Sequence, residues 1–240
     1  MKFFAGIVDP ETLAAIESQP QGELSHSAGQ CSALEIRYDL FLERGMPVGD
    51  LAQIASALRT KFPETLLIGT LRLERDGGSL SDALVLERER FMRSILSGKN
   101  APDLLDVEIE NLSVLLPKIS AALENAGTRI LASHHDFSKV PDVAELEQLV
   151  ATAKKFGVCG FKAACMAQMA GDFEPVYPLI LRESENFEYF SLFAMGDLGK
   201  ESRIQSLCWG ANLTYCALRK AVAPGQLSVE DALAKYREKR

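Results

Sequence analysis

Two short stretches carry the residues with the clearest chemical potential. In "VCGFKAACMA" (158–167) a single charge, Lys162, stands among small apolar side chains. Burial there disfavours an ammonium, and the neutral amine is a usable nucleophile. In "TRILASHH" (128–135) a strand-like run ends on His134 and His135. Imidazole titrates near neutrality and serves as a general acid or base. Amine and imidazole together suit carbonyl chemistry through an imine. Arg37, Arg72 and Arg203 follow other apolar runs and suit an anion, above all a carboxylate held bidentately. Each residue also has a plain reading. A histidine at a strand end is more often a hydrogen-bonded structural residue, and an arginine or glutamate there often pairs only with a neighbour.

These residues can meet only if the chain folds to bring them together. Strand-like runs at 2–8, 33–39, 65–72, 104–110, 128–135, 157–164, 187–196 and 206–218 alternate with longer amphipathic stretches. Such alternation predicts parallel strands joined by right-handed helical crossovers. Eight repeats in 240 residues fit a single (β/α)8 barrel spanning 1–240, close to the usual size of that fold. A doubly wound open sheet competes, but its glycine fingerprint is missing, since "GIVDPE" follows the first strand.

In a barrel the C-terminal strand ends open into the active-site mouth. Those ends hold Glu35, Arg37 and Asp39, then Thr70 and Arg72, then Asp106 and Glu108. They continue with the two histidines, Lys162 and Met195. Arg203 is expected in the loop after the seventh strand, and "APGQ" (223–226) after the eighth. His135 and Lys162 fall on neighbouring strands about 5 Å apart, within reach of one small substrate.

Composition narrows the rest. The net charge of -7 argues against nucleic acid, which requires a basic surface. "MKFFAGIVDPETL" is interrupted too early for a signal-peptide core, and no stretch has the apolar length to span a bilayer. The five cysteines form no CxxC pair and suit reduced thiols in the cytoplasm. Three histidines without HxH or HExxH spacing give a metal site little support.

Seven motifs in order along the chain resemble the type I 3-dehydroquinate dehydratases of the shikimate pathway. They are "EIR", "TLR" followed by "DGG", "DVE", "SHHDF" with Pro141 behind it, "FKAACM", "MGDLGKESR" and "APGQ". The resemblance implies that Lys162 forms a Schiff base with the C3 ketone of 3-dehydroquinate. It implies that His135 removes the C2 proton and protonates the departing C1 hydroxyl, giving 3-dehydroshikimate. It makes Arg203 the carboxylate clamp and places Glu35, Arg37, Arg72 and Gln226 against the substrate. Asp76, Asp106 and Glu108 are expected to support those residues from behind. The family also implies a homodimer and no cofactor.

Three positions depart from the family pattern. Asp76 stands where a glutamate commonly orients the histidine, Val222 where a serine is common, and Ala167 where a proline is frequent. His134 is expected to face away from His135, and His26 to lie in a polar loop. A class I aldolase barrel is disfavoured because the only double glycine, "DGG", follows the third strand and not the seventh or eighth. A degenerate, non-catalytic barrel is disfavoured by the presence of both Lys162 and His135.

Overall fold

The computed structural model describes residues 1–85 and 87–239. Eight strands form one parallel sheet: β1 (Phe3–Val8), β2 (Ala33–Arg37), β3 (Leu66–Thr70), β4 (Leu104–Glu108), β5 (Arg129–Asp136), β6 (Gly160–Met166), β7 (Tyr189–Met195) and β8 (Leu213–Ala217). The hydrogen-bonded order is β7-β6-β5-β4-β3-β2-β1-β8, so the ladder runs from β7 round to β8 and curls into a TIM-type barrel. The seam between β7 and β8 is stitched by Asn212. Its backbone N–H donates to Phe190 O (3.0 Å), its Oδ1 accepts from Phe190 N (2.8 Å) and its Nδ2 donates to Glu188 O (2.8 Å).

Strand parity separates two cores. Phe161, Ala163 and Cys165 of β6 face outward and pack beneath the helices. Gly160, Lys162 and Ala164 take the opposite parity and face inward. The barrel floor is apolar, with Ile68, Leu104, Leu131, Tyr189 and Leu213. Gly160 sits there because a Cβ would lie 2.5 Å from Leu131 Cδ1 and 3.1 Å from both Tyr189 Cβ and Tyr189 O. Above this floor the interior becomes polar with Glu35, Thr70, Asp106, Ser133, Lys162 and Ser191, all buried.

The helices begin where local chemistry satisfies their first N–H groups. Asp9 accepts from Thr12 N (2.7 Å) ahead of α1 (Pro10–Ser18). Asp142 and Glu145 form a capping box on α7 (Val143–Lys155), and Ser228 accepts from Asp231 N (3.0 Å) on α10 (Val229–Glu238). Each such cap is worth about 1 kcal/mol.

The structure corrects four expectations. The run 206–218 is not one strand: its first part belongs to α9 (Ser202–Trp209), which buries Ile204 and Leu207 one turn apart and stops at Gly210. Arg203 therefore lies on the first turn of α9 and not in a loop. Lys162 is the third residue of β6, opposite Ser133 and Ser191, and so lies at mid-barrel and not at the strand's end. His26 belongs to α2 (Glu23–Gln30) and not to a loop, with Gln30 Nε2 2.9 Å from its Nε2.

Candidate active site

A cavity of about 550 Å³, open at its mouth, lies over the C-terminal half of the barrel. Lys162 from β6 and His135 from β5 both line it, with Glu35, Arg37, Arg72, Asp76, Arg203, Tyr215, Val222 and Gln226. Asp76, expected behind the wall, is part of it, whereas Asp106 and Glu108 are absent from it. They lie behind it and hold Arg72.

The expectation of purely apolar surroundings for Lys162 is corrected. Small neighbours flank its stem, but Nζ lies 3.2 Å from Glu35 Oε1 and 3.3 Å from Asp106 Oδ2. Nζ also sits 3.8 Å from the centre of the Tyr215 ring. Thr70 donates to the same Glu35 oxygen (2.8 Å), and Ser133 donates to Asp106 Oδ1 (2.5 Å). Nζ of Lys162 is thus held between two carboxylates and the face of an aromatic ring.

Arg72 donates from Nη2 to Asp106 (2.6 Å) and from Nη1 to Glu108 and Ser133 (2.9 Å each). Arg88, fully buried on α5 (Arg88–Leu96), reaches Glu108 Oε2 at 2.6 Å. Burial alone would raise Asp106, but Arg72, Lys162 and the Ser133 hydroxyl outweigh it and hold the carboxyl at about 2. Arg37 forms a bidentate pair with Asp39, at 2.9 and 2.6 Å.

Arg203 differs from both. It is buried and donates only to the Gly225 and Pro224 carbonyls (3.1 and 3.2 Å), with its guanidinium 4.1 Å from the Phe193 ring centre. With no carboxylate beside it, burial pushes it down to about 10. Of the three cavity arginines it alone has no carboxylate partner, which leaves it free to receive an anion. Gln226 stands nearby, its amide oxygen accepting from Val222 N (2.9 Å) so that the amide NH₂ is free to donate.

His135 is held well below the usual imidazole range, by burial first and then by the charges of Arg72 and Lys162. Its ring is therefore neutral near pH 7, and Nδ1 has no hydrogen-bond partner. Asp76 is also under-partnered at Oδ2, within 3.5 Å of Arg75 Nε but without a hydrogen bond. Burial and then Glu108 push its carboxyl up to about 6. Asp76 is set by the "DGG" turn, where Gly77 has φ +79 and a Cβ on Gly78 would lie 2.1 Å from Arg72 O. His134 takes the other face of β5, away from the cavity, with Nδ1 2.7 Å from Glu110.

Sequence and fold both match one known family. The family model described as Type I 3-dehydroquinase matches residues 17–239. A 3-dehydroquinate dehydratase of Methanosarcina barkeri is 30% identical over 235 residues, covering 94% of this chain and 95% of its own. One from Lactiplantibacillus plantarum is 30% identical over 212 residues, covering 85% and 80%. The chain belongs to the type I 3-dehydroquinase family. The fold also matches the solved 3-dehydroquinate dehydratase of Geobacillus kaustophilus, with a TM-score of 0.80 at 23% identity over 99% of this chain and 91% of that one. The Aquifex aeolicus structure gives 0.74 at 21% identity over 99% of both chains.

The hydrogen bond to His135 that the resemblance implies for a glutamate at position 76 is not made by Asp76. Ala167 is buried and donates its N–H to Met195 O (3.2 Å), a bond a proline could not make. Sequence reasoning did not single out Tyr215, Ser133 or Arg88. Inward parity on β5 and β8 marks the first two. Arg88 carries no such mark among the charges of "ERERF".

Proposed function

We propose that this chain dehydrates 3-dehydroquinate to 3-dehydroshikimate through an imine on Lys162, working as one catalytic domain of 240 residues. The observation that carries the reading is one cavity shared by Lys162, a neutral His135 and an arginine with no carboxylate partner. The substrate is an anionic cyclic ketone, and each of these groups answers one of its features.

In the first step Lys162, having released a proton, attacks the C3 carbonyl carbon. The carbinolamine loses water and leaves a C=N bond with positive charge on Nζ. Glu35, Asp106 and the Tyr215 ring stabilise that charge where it forms. His135 then takes the C2 proton, and the C–H electron pair moves into the imine to give an enamine. Those electrons return to form the C1–C2 double bond as the C1 hydroxyl leaves with the proton His135 carries. Water adds to the imine and frees Lys162. Arg203 and the Gln226 amide hold the carboxylate, while Glu35, Arg37 and Arg72 shape the wall that meets the ring hydroxyls. Lys162 supplies the electron sink, so the chemistry calls for no metal or organic cofactor.

The family resemblance extends the reading to a cytoplasmic homodimer. Among the described residues no helix is long and apolar enough to cross a membrane.

The test is covalent trapping. Sodium borohydride added with 3-dehydroquinate is expected to inactivate the protein and fix the reduced ligand's mass on the peptide containing Lys162. Ligand-free protein should keep its activity, and enone absorbance should grow without added metal or nucleotide. Labelling at Lys154 or Lys155 would sink the assignment.

A further inference from the structure

Three residues of the cavity wall carry a buried polar atom with no hydrogen-bond partner: Asp76, His135 and Tyr215. The mechanism uses His135, and Asp76 lies at the position that orients it. The Tyr215 hydroxyl has no task yet.

A buried hydroxyl without a partner is costly, and a phenylalanine would avoid that cost. The ring would fill the same space between Ala5 on β1 and the Lys162 stem, and its face would serve the Nζ cation equally well. Packing and charge stabilisation therefore explain the ring but leave the oxygen unexplained. Burial, followed by the charges of Glu35 and Asp106, pushes the phenol well above its ordinary range. It stays protonated and can donate as well as accept.

We propose that Tyr215 is a further catalytic residue, whose hydroxyl hydrogen-bonds the ring hydroxyl on C4, next to the carbonyl carbon that Lys162 attacks. The placement follows from the 3.8 Å contact between Nζ and the ring centre. The imine carbon is bonded to Nζ and so forms close to the Tyr215 ring; of its two ring neighbours C2 is a methylene and C4 carries a hydroxyl, so C4 is the one that can meet the phenol. The hydroxyl thus finds its partner only when substrate binds, and it favours ketones hydroxylated at that carbon. In the loop after β8 Val222 presents only methyl groups to the same cavity, so Tyr215 supplies a hydroxyl that this loop position does not. The inference rests on the imine reading of Lys162.

The experiment compares the wild type with Tyr215→Phe, which keeps the ring. KM for 3-dehydroquinate is expected to rise about two- to tenfold, the worth of one neutral hydrogen bond. With the 4-deoxy analogue the two proteins should behave alike. The ligand-free Tm should stay level or rise, since an unpaired polar atom has been removed, and the Tm gain on adding ligand should shrink. Borohydride should still label Lys162 in the variant. Equal KM in both proteins, or an equal loss with the 4-deoxy analogue, would overturn the role of the hydroxyl. A fall in ligand-free Tm with an undiminished ligand shift would mark the hydroxyl as structural and also overturn it. A wild type that turns over 3-dehydroquinate and labels at Lys162 while Tyr215→Phe behaves identically would refute Tyr215 alone. A wild type that does neither would refute the imine reading and Tyr215 with it.

Discussion

His135 and Asp76 titrate away from their ordinary values in opposite directions, the imidazole downward and the carboxyl up to about 6. The aspartate stops short of a hydrogen bond to His135, whose Nδ1 is unpartnered inside a ring of positive charge. His135 therefore stays neutral at pH 6.5, and with His135 as the proposed base the acid limb of kcat/KM is expected below that value. Asp76→Glu restores the longer side chain, and a carboxylate beside an imidazole favours its protonated form. The acid limb should then move upward, which a kcat/KM profile from pH 4 to 9 measures. An unmoved limb would mean the longer carboxylate still fails to reach the ring. Residue type made Lys162, His135 and Arg203 visible in the sequence, because few side chains do nucleophilic, basic or anion-binding work. Arg88 stayed hidden because one buried guanidinium reads like its exposed neighbour Arg90 until tertiary structure separates them.

Strand β6 illustrates both what periodicity reveals and what it conceals. Alternation placed Lys162 in a strand correctly, but the strand's extent was open, so a mid-barrel residue was read as a terminal one. Its depth matters, because only there do Glu35 and Asp106 meet Nζ. The stretch 206–218 failed for a different reason: short apolar segments of helix and strand look alike, and only three residues, 210–212, separate α9 from β8. Gly160 sets how tightly the floor below Lys162 closes. Gly160→Ala forces a Cβ against Leu131 and Tyr189, and overpacking of this kind costs about 1–3 kcal/mol. Urea unfolding should show that loss, whereas an unchanged midpoint would mean that β7 has room to yield.

For the whole molecule, the ion pairs within and behind the barrel are matched in number, with Arg203 standing apart from them. Glu35, Asp106 and Glu108 balance Lys162, Arg72 and Arg88, all buried. The carboxyl of Asp106 lies at about 2 in the fold against an ordinary 3.8, so the unfolded chain takes up its proton first as pH falls. The stability this group contributes is complete above about pH 4 and is lost as pH falls through 2. That contribution is about 2 kcal/mol. Measured by urea unfolding from pH 5 to 2, the wild type should lose about that much more stability than Asp106→Asn. Parallel curves would show that the charge of Asp106 does not drive acid unfolding.

The seam at Asn212 has a consequence for how the protein is made. A chain emerging from the ribosome completes seven strands before β8 appears, and β1 and β7 remain open edges until then. Open edges invite pairing with other chains. The segment that closes the ring, Asn212 against β7 and β8 along β1, also carries Tyr215, and the residues behind it bring Gln226 and the carbonyls that hold Arg203. The nascent chain therefore completes its candidate active-site cavity in the same event that removes its sticky edges. A copy stopped short of β8 lacks the pocket and retains two edges on which aggregation can grow.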